Sequence, residues 1–448
     1  MNIATVPIKV MGPAAVPGSI KDDLPWWINP VWLFLFFLVP LYVLVYLTPI
    51  LFGPQIVVLR FLTYFTESYF LLGLVFLLVI VNGAVVGGVC FGPQALQPHA
   101  MWVRKGFLDF LALVTITAYV TWFHRILLDP KAWLTLLRLG GESISVGRQN
   151  NPTIGGVTTA VQFGIAYYVM YFSVLLRDRS QKLPVRYTAY AVAILALTVF
   201  RVVAWAERSA LLEIAIPVAL LLSSHGRPRF FFRRRLLVSL APLVGVATLL
   251  LFFAATEWLR SWSQYYQQKG GGFWWFAFSR LVSYYYTALN NGAGLLKLYD
   301  WPTWHFGSML GWLYRFPVFG VFARFVLGSR DTAAAYLSRF GDVEFNNMSG
   351  IFTVFYDVGV GGGLVVAFLW GSLMGYLYRT FRYKNGLGIV LFPITYISML
   401  EVMRIFYLGT SRAFPAIVVV IVGYVFFIRR EKQRSALPQD NRAYLRIC

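Results

Sequence analysis

Three observations predict an all-α polytopic membrane protein with about ten transmembrane helices. Of the 448 residues, 58% are hydrophobic and only 13% are charged, whereas soluble domains carry about 25% charged residues. The mean hydropathy is +0.66. Apolar runs of roughly the 20 residues that a helix needs to cross a bilayer recur from Pro30 to Ile428.

The apolar runs follow one another with polar or basic stretches between them. The segment 1–29 has no apolar core of the kind that a cleavable signal needs, so the first run is expected to remain as an anchor. The runs are 30–51, 69–90, 106–123, 154–176, 187–203, 210–222, 236–255, 359–378, 387–408 and 413–428. Residues 348–356 predict a helical lead-in to the eighth run, with a break near Asp357 and the glycines that follow it.

Lysines and arginines decide the predicted orientation. The densest basic clusters are 177–186, 227–235, 379–384 and the tail from Arg429. An even number of helices separates each cluster from the next, so all of them lie on one side, which the positive-inside rule makes cytoplasmic. The predicted divisions are a cytoplasmic segment 1–29, transmembrane helices 1–7 in 30–255, a large outer loop 256–347, a re-entry segment with helices 8–10 in 348–428, and a cytoplasmic tail 429–448.

The net charge of +21 comes from 39 lysines and arginines against 18 acidic residues. Much of that excess lies in the loops assigned to the cytoplasm, where it faces anionic lipid. No basic folded domain is predicted, so nucleic acid is not expected as a partner. Cys90 and Cys448 predict neither a disulfide nor a metal site, and His124 and His305 lack the spacing of metal ligands.

Residues 256–363 are predicted neither as plain membrane helix nor as short connector. Long loops in compact proteins are functional or disordered, and this stretch is too rich in Tyr and Trp for disorder. Tryptophans such as Trp274 fit an aromatic belt at the membrane interface. The run Tyr284–Tyr286, followed by Asn290 and Asn291, equally fits stacking on sugar faces and hydrogen bonding to hydroxyl groups. The ligand is therefore predicted to lie in this stretch.

The outer side carries many arginines for a side that the positive-inside rule depletes. They are Arg60, Arg125, Arg138, Arg148, Arg201, Arg208, Arg260, Arg280, Arg315, Arg324, Arg330, Arg339, Arg404 and Arg412. Any single one is explained by snorkelling or by an internal ion pair, such as Arg208 with Glu207 or Arg404 with Glu401. Several at the outer ends of separate helices favour a polyanionic ligand at the outer leaflet, because guanidinium groups bind phosphate bidentately and stay charged.

Two parts of the chain resemble a known family. One is AERSALLEIAIPVALLL (206–222), followed by a basic loop, a spanning helix and an outer loop with SRLVSYYYTALNNG (279–292). The other is EFNNMSGIFTVFYDVGVGGGLVVAFLWGSLMGYLYR (344–379). Together they resemble the Wzy-type oligosaccharide repeat-unit polymerases, which build O-antigen and exopolysaccharide in bacterial envelopes.

The resemblance implies a metal-independent glycosyltransferase without a cofactor, embedded in the bacterial inner membrane and active at its periplasmic face. A growing glycan on undecaprenyl pyrophosphate is expected to be transferred to the non-reducing end of a new lipid-linked repeat unit. The implied partners are undecaprenyl-pyrophosphate-linked oligosaccharides, membrane lipids, a chain-length regulator and a flippase. Such a reaction needs hydrogen-bond donors for the leaving pyrophosphate and a base near the acceptor hydroxyl.

Carried onto this sequence, the family pattern implies three groups of site residues. For pyrophosphate it implies Arg201, Arg208 and Arg280, with Arg404 and Arg412 as lesser candidates. For sugar it implies Tyr284, Asn290, Asn346 and Asn347. For the catalytic base it implies Glu207, Glu344 or Asp357 without an order, although Asp357 also suits a cap of the following helix.

Two other functions stay open. An O-antigen ligase shares the topology and the donor, but it uses lipid A core as acceptor and carries a histidine in its large outer loop. His305 does not lie where such a histidine pattern would begin, whereas Arg339 and Gly350 match an Arg-X10-Gly spacing described for related polymerases. A lipid-linked oligosaccharide flippase or other transporter would show inverted repeats and broken polar helices near the midplane, but here the ionisable residues gather at one face.

The outer arginines predict that Arg208→Ala abolishes polymer. Loss of one positioned donor to a developing charge costs roughly 100-fold or more in rate. The glycan ladder of a strain that carries the variant should therefore be absent on a gel, while protein level and membrane insertion stay unchanged. A ladder of normal length would remove Arg208 from the site.

Overall fold

The computed structural model is helical, with no strand among the residues that it describes. These residues are 24–53, 56–57, 62–90, 105–129, 152–177, 183–205, 207, 209–224, 239–258, 262, 272–316, 319–327, 332–341, 345–383 and 386–435. The predicted segment 1–29 and tail 429–448 lie mostly outside this set.

Six of the described helices are long and apolar enough to cross a bilayer, which confirms a helical membrane protein by length and composition. They are α1 (Pro30–Phe52), α2 (Glu67–Val89), α3 (Gly106–Leu127), α4 (Val157–Leu176), α5 (Val185–Trp205) and α12 (Gly350–Arg382). The remaining apolar runs hold α6 (Ser209–Ser224), α7 (Ala241–Glu257), α13 (Gly386–Leu400) and α14 (Ala413–Ser435), whose apolar parts are shorter. Between α7 and α12 lie α8 (Phe273–Leu298), α9 (Gly311–Arg315), α10 (Phe319–Leu327) and α11 (Thr332–Phe340). Ten crossings, cytoplasmic termini and the side of the large loop stay predictions.

Local sequence explains where two of the spanning helices begin. Asn29 caps α1, because its side chain accepts a hydrogen bond from the backbone N–H of Val31 at 3.0 Å. Pro30 fills the first helical position, where a backbone N–H has no helical partner in any case. Ser349 caps α12 in the same way by accepting from the N–H of Ile351 at 3.2 Å. Short polar residues next to the apolar runs thus satisfy the free ends of the helices.

The most extensive helix pairing joins α2 and α12. Their backbones are in contact. A Cβ added at Gly87 would clash with the carbonyl oxygen of Ser372, and one added at Gly371 would clash with the carbonyl oxygen of Ile80. The glycines at this contact are Gly83, Gly87, Gly371 and Gly375. Small residues that let backbones approach closely are a common basis of helix packing in membranes.

The predicted break in the eighth run lies at Gly359. The φ of this residue is +76° within α12, in a region that favours glycine. Pro302 packs there, with its Cγ 3.4 Å from the point that a Cβ would occupy. Every residue from Gly350 to Gly359 is buried. The predicted lead-in and the predicted eighth crossing are therefore the two arms of one broken helix.

The predicted outer loop 256–347 is folded into helices over much of its length, which corrects the expectation of a long loop. Its main element, α8, has 26 residues and is almost wholly buried from Arg280 to Leu296. α8 packs against α1, α7, α11 and α12. The sequence did not predict α8 as an apolar run, because Arg280, Asn290 and Asn291 interrupt its apolar residues. Their burial requires partners elsewhere in the fold.

The ninth predicted run, 387–408, is a shorter helix than expected. α13 ends at Leu400, and the chain then passes through a turn and the short 3-10 helix Tyr407–Gly409 before α14 begins. Two of the predicted site arginines, Arg404 and Arg412, lie in this connection.

Gly87→Ala and Gly88→Ala form a matched pair on α2. The added methyl group at Gly87 would enter the backbone of α12, whereas nothing lies within 4 Å of the same point at Gly88. Overpacking costs about 1–3 kcal/mol, and Ala is favoured over Gly inside a helix by roughly 1 kcal/mol. We expect Gly87→Ala to lower the thermal unfolding temperature of the purified protein and Gly88→Ala to keep or raise it. Equal unfolding temperatures would contradict the close contact at Gly87.

Candidate functional site

Four charged residues meet where α5 ends and α6 and α14 begin. They are Arg201 near the end of α5, Glu207 in the turn to α6, Glu213 in α6 and Arg412 just before α14. α6 packs against α13, and this brings the connection that follows α13 to the start of α6. We refer to these residues as the four-residue cluster.

Glu207 holds the four-residue cluster together. Its Oε2 accepts from Nη2 of Arg201 at 2.6 Å and from Nε at 2.8 Å, and its Oε1 accepts from Nη2 of Arg412 at 2.6 Å. Arg412 also donates to the Oγ of Ser209 at 2.6 Å, and its Nη1 lies 3.8 Å from Oε1 of Glu213. Hydrogen bonds between ionised groups are the stronger ones in proteins. The turn after α5 is thus tied firmly to the start of α14.

The two arginines of the cluster differ in what they can reach. The side chain of Arg201 is 5% exposed, and its guanidinium carbon lies 5.5 Å from the centre of the Trp122 ring. The side chain of Arg412 is 37% exposed. Burial alone would lower the pKa of Arg412, but Glu207 and Glu213 raise it above its ordinary value, so the group stays charged. Arg412 is therefore the member that can meet a ligand from outside.

A second group of charged and aromatic side chains surrounds Tyr284 on α8. Arg404 pairs with Glu401 at 2.9 Å, which confirms the internal ion pair that the sequence predicts. The guanidinium carbon of Arg404 lies 5.6 Å from the centre of the Tyr284 ring. Phe345 packs edge-on against Tyr284 with ring centres 4.9 Å apart, and the guanidinium carbon of Arg280 lies 4.8 Å from the Phe345 ring. We call these five residues the tyrosine group.

The arginines of the tyrosine group also divide into one buried and one partly exposed. Arg280 is 1% exposed and its Nε lies 3.3 Å from a carboxylate oxygen of Glu257, which is fully buried. This ion pair joins α8 to the end of α7. Arg404 is 25% exposed, and although burial alone would lower its pKa, Glu401 raises that pKa above the ordinary value. Arg404 is therefore the member of the tyrosine group that can meet a ligand from outside, as Arg412 is in the four-residue cluster.

Tyr407 joins the four-residue cluster to the tyrosine group. It is 2% exposed, and its pKa is raised well above the ordinary value by burial and by the carboxylates of Glu213 and Glu401. One of these carboxylates belongs to each group, and both groups also have a residue in the connection that holds Tyr407, namely Arg404 and Arg412. They form one region along the connection between α13 and α14, and Tyr407 is a neutral phenol within it.

Asn290 serves the fold, which corrects its prediction as a sugar ligand. Its side-chain oxygen accepts from the backbone N–H groups of Tyr64 and Phe65 at 2.6 and 3.0 Å. Its amide nitrogen donates to the carbonyl of Leu62 at 3.2 Å. With 3% of its surface exposed, the amide is taken up by the segment before α2 and is not available to a sugar.

The other predicted sugar ligands lie next to the tyrosine group. Asn291 donates from its amide nitrogen to the carbonyls of Phe345 and Asn347 at 2.9 and 3.1 Å, and so holds this segment on α8. Asn346 is exposed and Asn347 is half-buried. Both asparagines follow Phe345, a member of the tyrosine group, directly in the chain. Their contact with sugar stays a prediction.

Asp357, one of the predicted bases, holds a loop. Its Oδ2 accepts from the backbone N–H groups of Ser308 and Met309 at 2.9 and 2.8 Å. Its backbone carbonyl accepts from the N–H of Trp304 at 2.9 Å. The carboxylate therefore caps the turn that precedes α9, and it does not cap the helix after the break, as the alternative interpretation expected.

Three predicted site residues remain: Glu207, Glu344 and Arg208. Both carboxylate oxygens of Glu207 are bound to guanidinium groups, so in this arrangement Glu207 orients arginines. The predicted base Glu344 and the predicted pyrophosphate ligand Arg208 lie outside the described residues.

Five residues of the region were not predicted as site residues: Glu213, Glu257, Phe345, Glu401 and Tyr407. Glu213 carried a signal, because a carboxylate inside an apolar run is costly to bury and marks a site or an ion pair. Glu257 pairs with a residue on another helix, which sequence spacing does not reveal. Tyr407 carried no signal, since tyrosines near a membrane interface are common.

Charge balance decides what the region can bind. The guanidinium groups of Arg201, Arg280, Arg404 and Arg412 lie beside the carboxylates of Glu207, Glu213, Glu257 and Glu401. Among the residues that the structure describes here, four basic side chains thus lie beside four acidic ones. An anion that binds to the partly exposed guanidinium groups must share or replace their present carboxylate partners. To replace a carboxylate, the anion must offer at least two acceptor oxygens to the guanidinium group. Phosphate does so.

No protein-family model, no curated protein and no solved structure matches this chain. Among the described residues, no group of three or more His, Cys, Asp or Glu side chains could hold a metal ion.

Glu207→Ala should destabilise the protein strongly. Removal of one partner from a buried ion pair costs about 3–5 kcal/mol, and Arg201 would keep its charge at 5% exposure. Arg201→Met combined with Glu207→Gln removes both charges and should recover most of the loss in thermal unfolding temperature.

Glu401→Ala is the control for this prediction. Arg404 and Glu401 are 25% and 17% exposed, against 5% and 11% for Arg201 and Glu207. The freed charge is therefore better hydrated, and the loss in thermal unfolding temperature should be smaller. Equal unfolding temperatures for Glu207→Ala and Glu401→Ala would contradict the difference in burial on which the prediction rests.

Proposed function

We propose that this protein is a membrane-embedded glycosyltransferase that polymerises undecaprenyl-pyrophosphate-linked oligosaccharide repeat units at the periplasmic face of the bacterial inner membrane. The observation that carries the proposal is that two partly exposed, charged guanidinium groups, Arg404 and Arg412, occur in one short connection, with Arg404 beside Tyr284 of the aromatic helix α8. Both lie in the connection between two apolar helices. A lipid-linked pyrophosphate carries its charge at the same level, where the hydrocarbon ends and water begins.

The proposed reaction joins an acceptor hydroxyl to the anomeric carbon of the growing glycan. As the new C–O bond forms, the bond to the pyrophosphate oxygen breaks, and that oxygen leaves with the electron pair. Arg404 and Arg412 donate hydrogen bonds to the leaving pyrophosphate, and donors that are held in place before the reaction give the largest stabilisation of such charge. The buried Arg201 is a positioning residue, because it fixes the Glu207 carboxylate that orients Arg412.

The sugar is proposed to lie along the tyrosine group. Tyr284 is half-buried between Phe345 and the guanidinium of Arg404, and Asn346 and Asn347 follow Phe345 directly. Aromatic rings with polar tips and amide side chains suit the apolar faces and hydroxyl groups of sugars. The proton of the attacking hydroxyl passes to a carboxylate, for which we propose Glu344, the neighbour of Phe345 in the chain.

The experiment that tests this function is the glycan profile of a strain that lacks the gene, with and without complementation. Single repeat units at the cell surface and loss of the long ladder are expected of a polymerase. Polymer that stays on its lipid carrier would instead indicate a ligase. Lipid-linked single units held at the cytoplasmic face would indicate a flippase, and the arginines would then line a transport path.

Arg412→Ala should remove the ladder in the same assay. Loss of a positioned donor to the leaving group costs roughly 100-fold or more in rate, and Arg412→Lys should recover only part of it, because an ammonium group lacks the bidentate fork.

Arg186→Ala is the matched control. The side chain of Arg186 is 54% exposed and pairs with Asp109 at 3.0 Å. Arg186 is the second residue of α5 and lies at the opposite end of that helix from Arg201. Its variant should keep the full ladder. A full ladder from Arg412→Ala, at normal protein level, would place the leaving group elsewhere.

A further inference from the structure

The short helix α10 presents an apolar face to its surroundings. Four side chains on one side of the helix are largely exposed: Val321 at 61%, Phe322 at 66%, Phe325 at 88% and Val326 at 56%. Ala323, on the opposite side, is 3% exposed and faces the protein. Apolar residues therefore occur on both sides of the helix, but only one side is covered by this chain.

α10 is fixed to its predecessor α9. The backbone N–H of Gly320 donates to the carbonyl of Phe316 at 2.8 Å, and Nη1 of Arg324 donates to the carbonyl of Tyr314 at 2.9 Å. A Cβ added at Gly320 would clash with the carbonyl of Tyr314. The exposed face is thus held in one orientation relative to α9.

α9 in turn lies against the first residues of a membrane helix. The Trp312 ring stacks on the Phe414 ring, with centres 3.5 Å apart and planes 8° apart. Phe414 is the second residue of α14, whose apolar part runs from Ala413 to Phe426. A Cβ added at Gly311 would lie 3.1 Å from the carbonyl oxygen of Gly409, just before α14. α9 is therefore level with the point at which this apolar helix begins.

We propose that α10 lies in the surface of the lipid bilayer, with its exposed apolar face among the upper acyl chains. A bilayer begins where the apolar part of α14 begins, and α10 is folded onto the element that marks this level. Arg324 of α10 and Arg315 at the end of α9 are both exposed, and in this arrangement they would meet phosphate groups of the lipids. Helices that lie in the membrane surface combine an apolar face with such basic residues.

This surface role is independent of the proposed function. It needs only the membrane, and it would hold the segment between α8 and α12 at the bilayer whatever reaction or transport takes place there. The two proposals can therefore fail separately.

The test uses the full-length protein in phospholipid nanodiscs with one environment-sensitive fluorophore. Cys90→Ser and Cys448→Ser remove the native thiols, and Phe325→Cys receives an NBD label. Ser338→Cys is the control, because Ser338 is exposed on the neighbouring helix α11. We expect the label at Phe325 to emit at shorter wavelength and to be quenched at least about twofold more than the control by lipids with a nitroxide near the headgroup.

Two results would overturn the proposal. A label at Phe325 that emits as in water and is not quenched by nitroxide lipids would mean that α10 faces solvent. A label with shifted emission that nitroxide lipids do not quench would mean that protein, such as a second copy of the chain, covers the apolar face. Unlabelled Phe325→Cys should keep the thermal unfolding temperature of the parent, because the side chain that it replaces is 88% exposed.

Discussion

The contact between α2 and α12 is the constraint on which the rest of the structure depends. In a bilayer, apolar surface is already surrounded by apolar lipid, so helices attract each other mainly through close packing, and glycines permit it. α12 also packs against α8 and α13, and the N–H of Ser349 donates to the Ala288 carbonyl of α8 at 3.0 Å. The packing on α12 therefore positions both α8, which carries Arg280 and Tyr284, and α13, which is followed by Glu401 and Arg404.

Much of the architecture follows from the sequence, because the bilayer imposes a length and a polarity on each crossing. A helix lies at every predicted apolar run, and the predicted break lies at Gly359, where the backbone conformation favours glycine. α8 was missed for a physical reason. Asn290 and Asn291 make it look like a polar loop, and they are satisfied by segments that are distant in the chain. No local pattern contains that information.

The candidate site, too, was predictable from the sequence only in part. The pair of Arg404 with Glu401, which the sequence offered as the ordinary explanation of that arginine, is present in the turn after α13. Exposure was not predictable, since Arg201 and Arg412 both lie near helix ends in the sequence, yet their side chains are 5% and 37% exposed. The resemblance ranks Arg201 and Arg280 among the main pyrophosphate ligands, but both are buried. Arg404 and Arg412, which it ranks as lesser candidates, are the partly exposed ones.

Asp357 and Gly359 are two residues apart, and both touch the loop before α9. The loop cannot leave its place without giving up its hydrogen bonds to Asp357, and Pro302 of the same loop fills the space at the break. A change in the direction of α12 would therefore have to break or carry along the contacts of this loop. The loop thus ties the residues outside the bundle to the break at its centre.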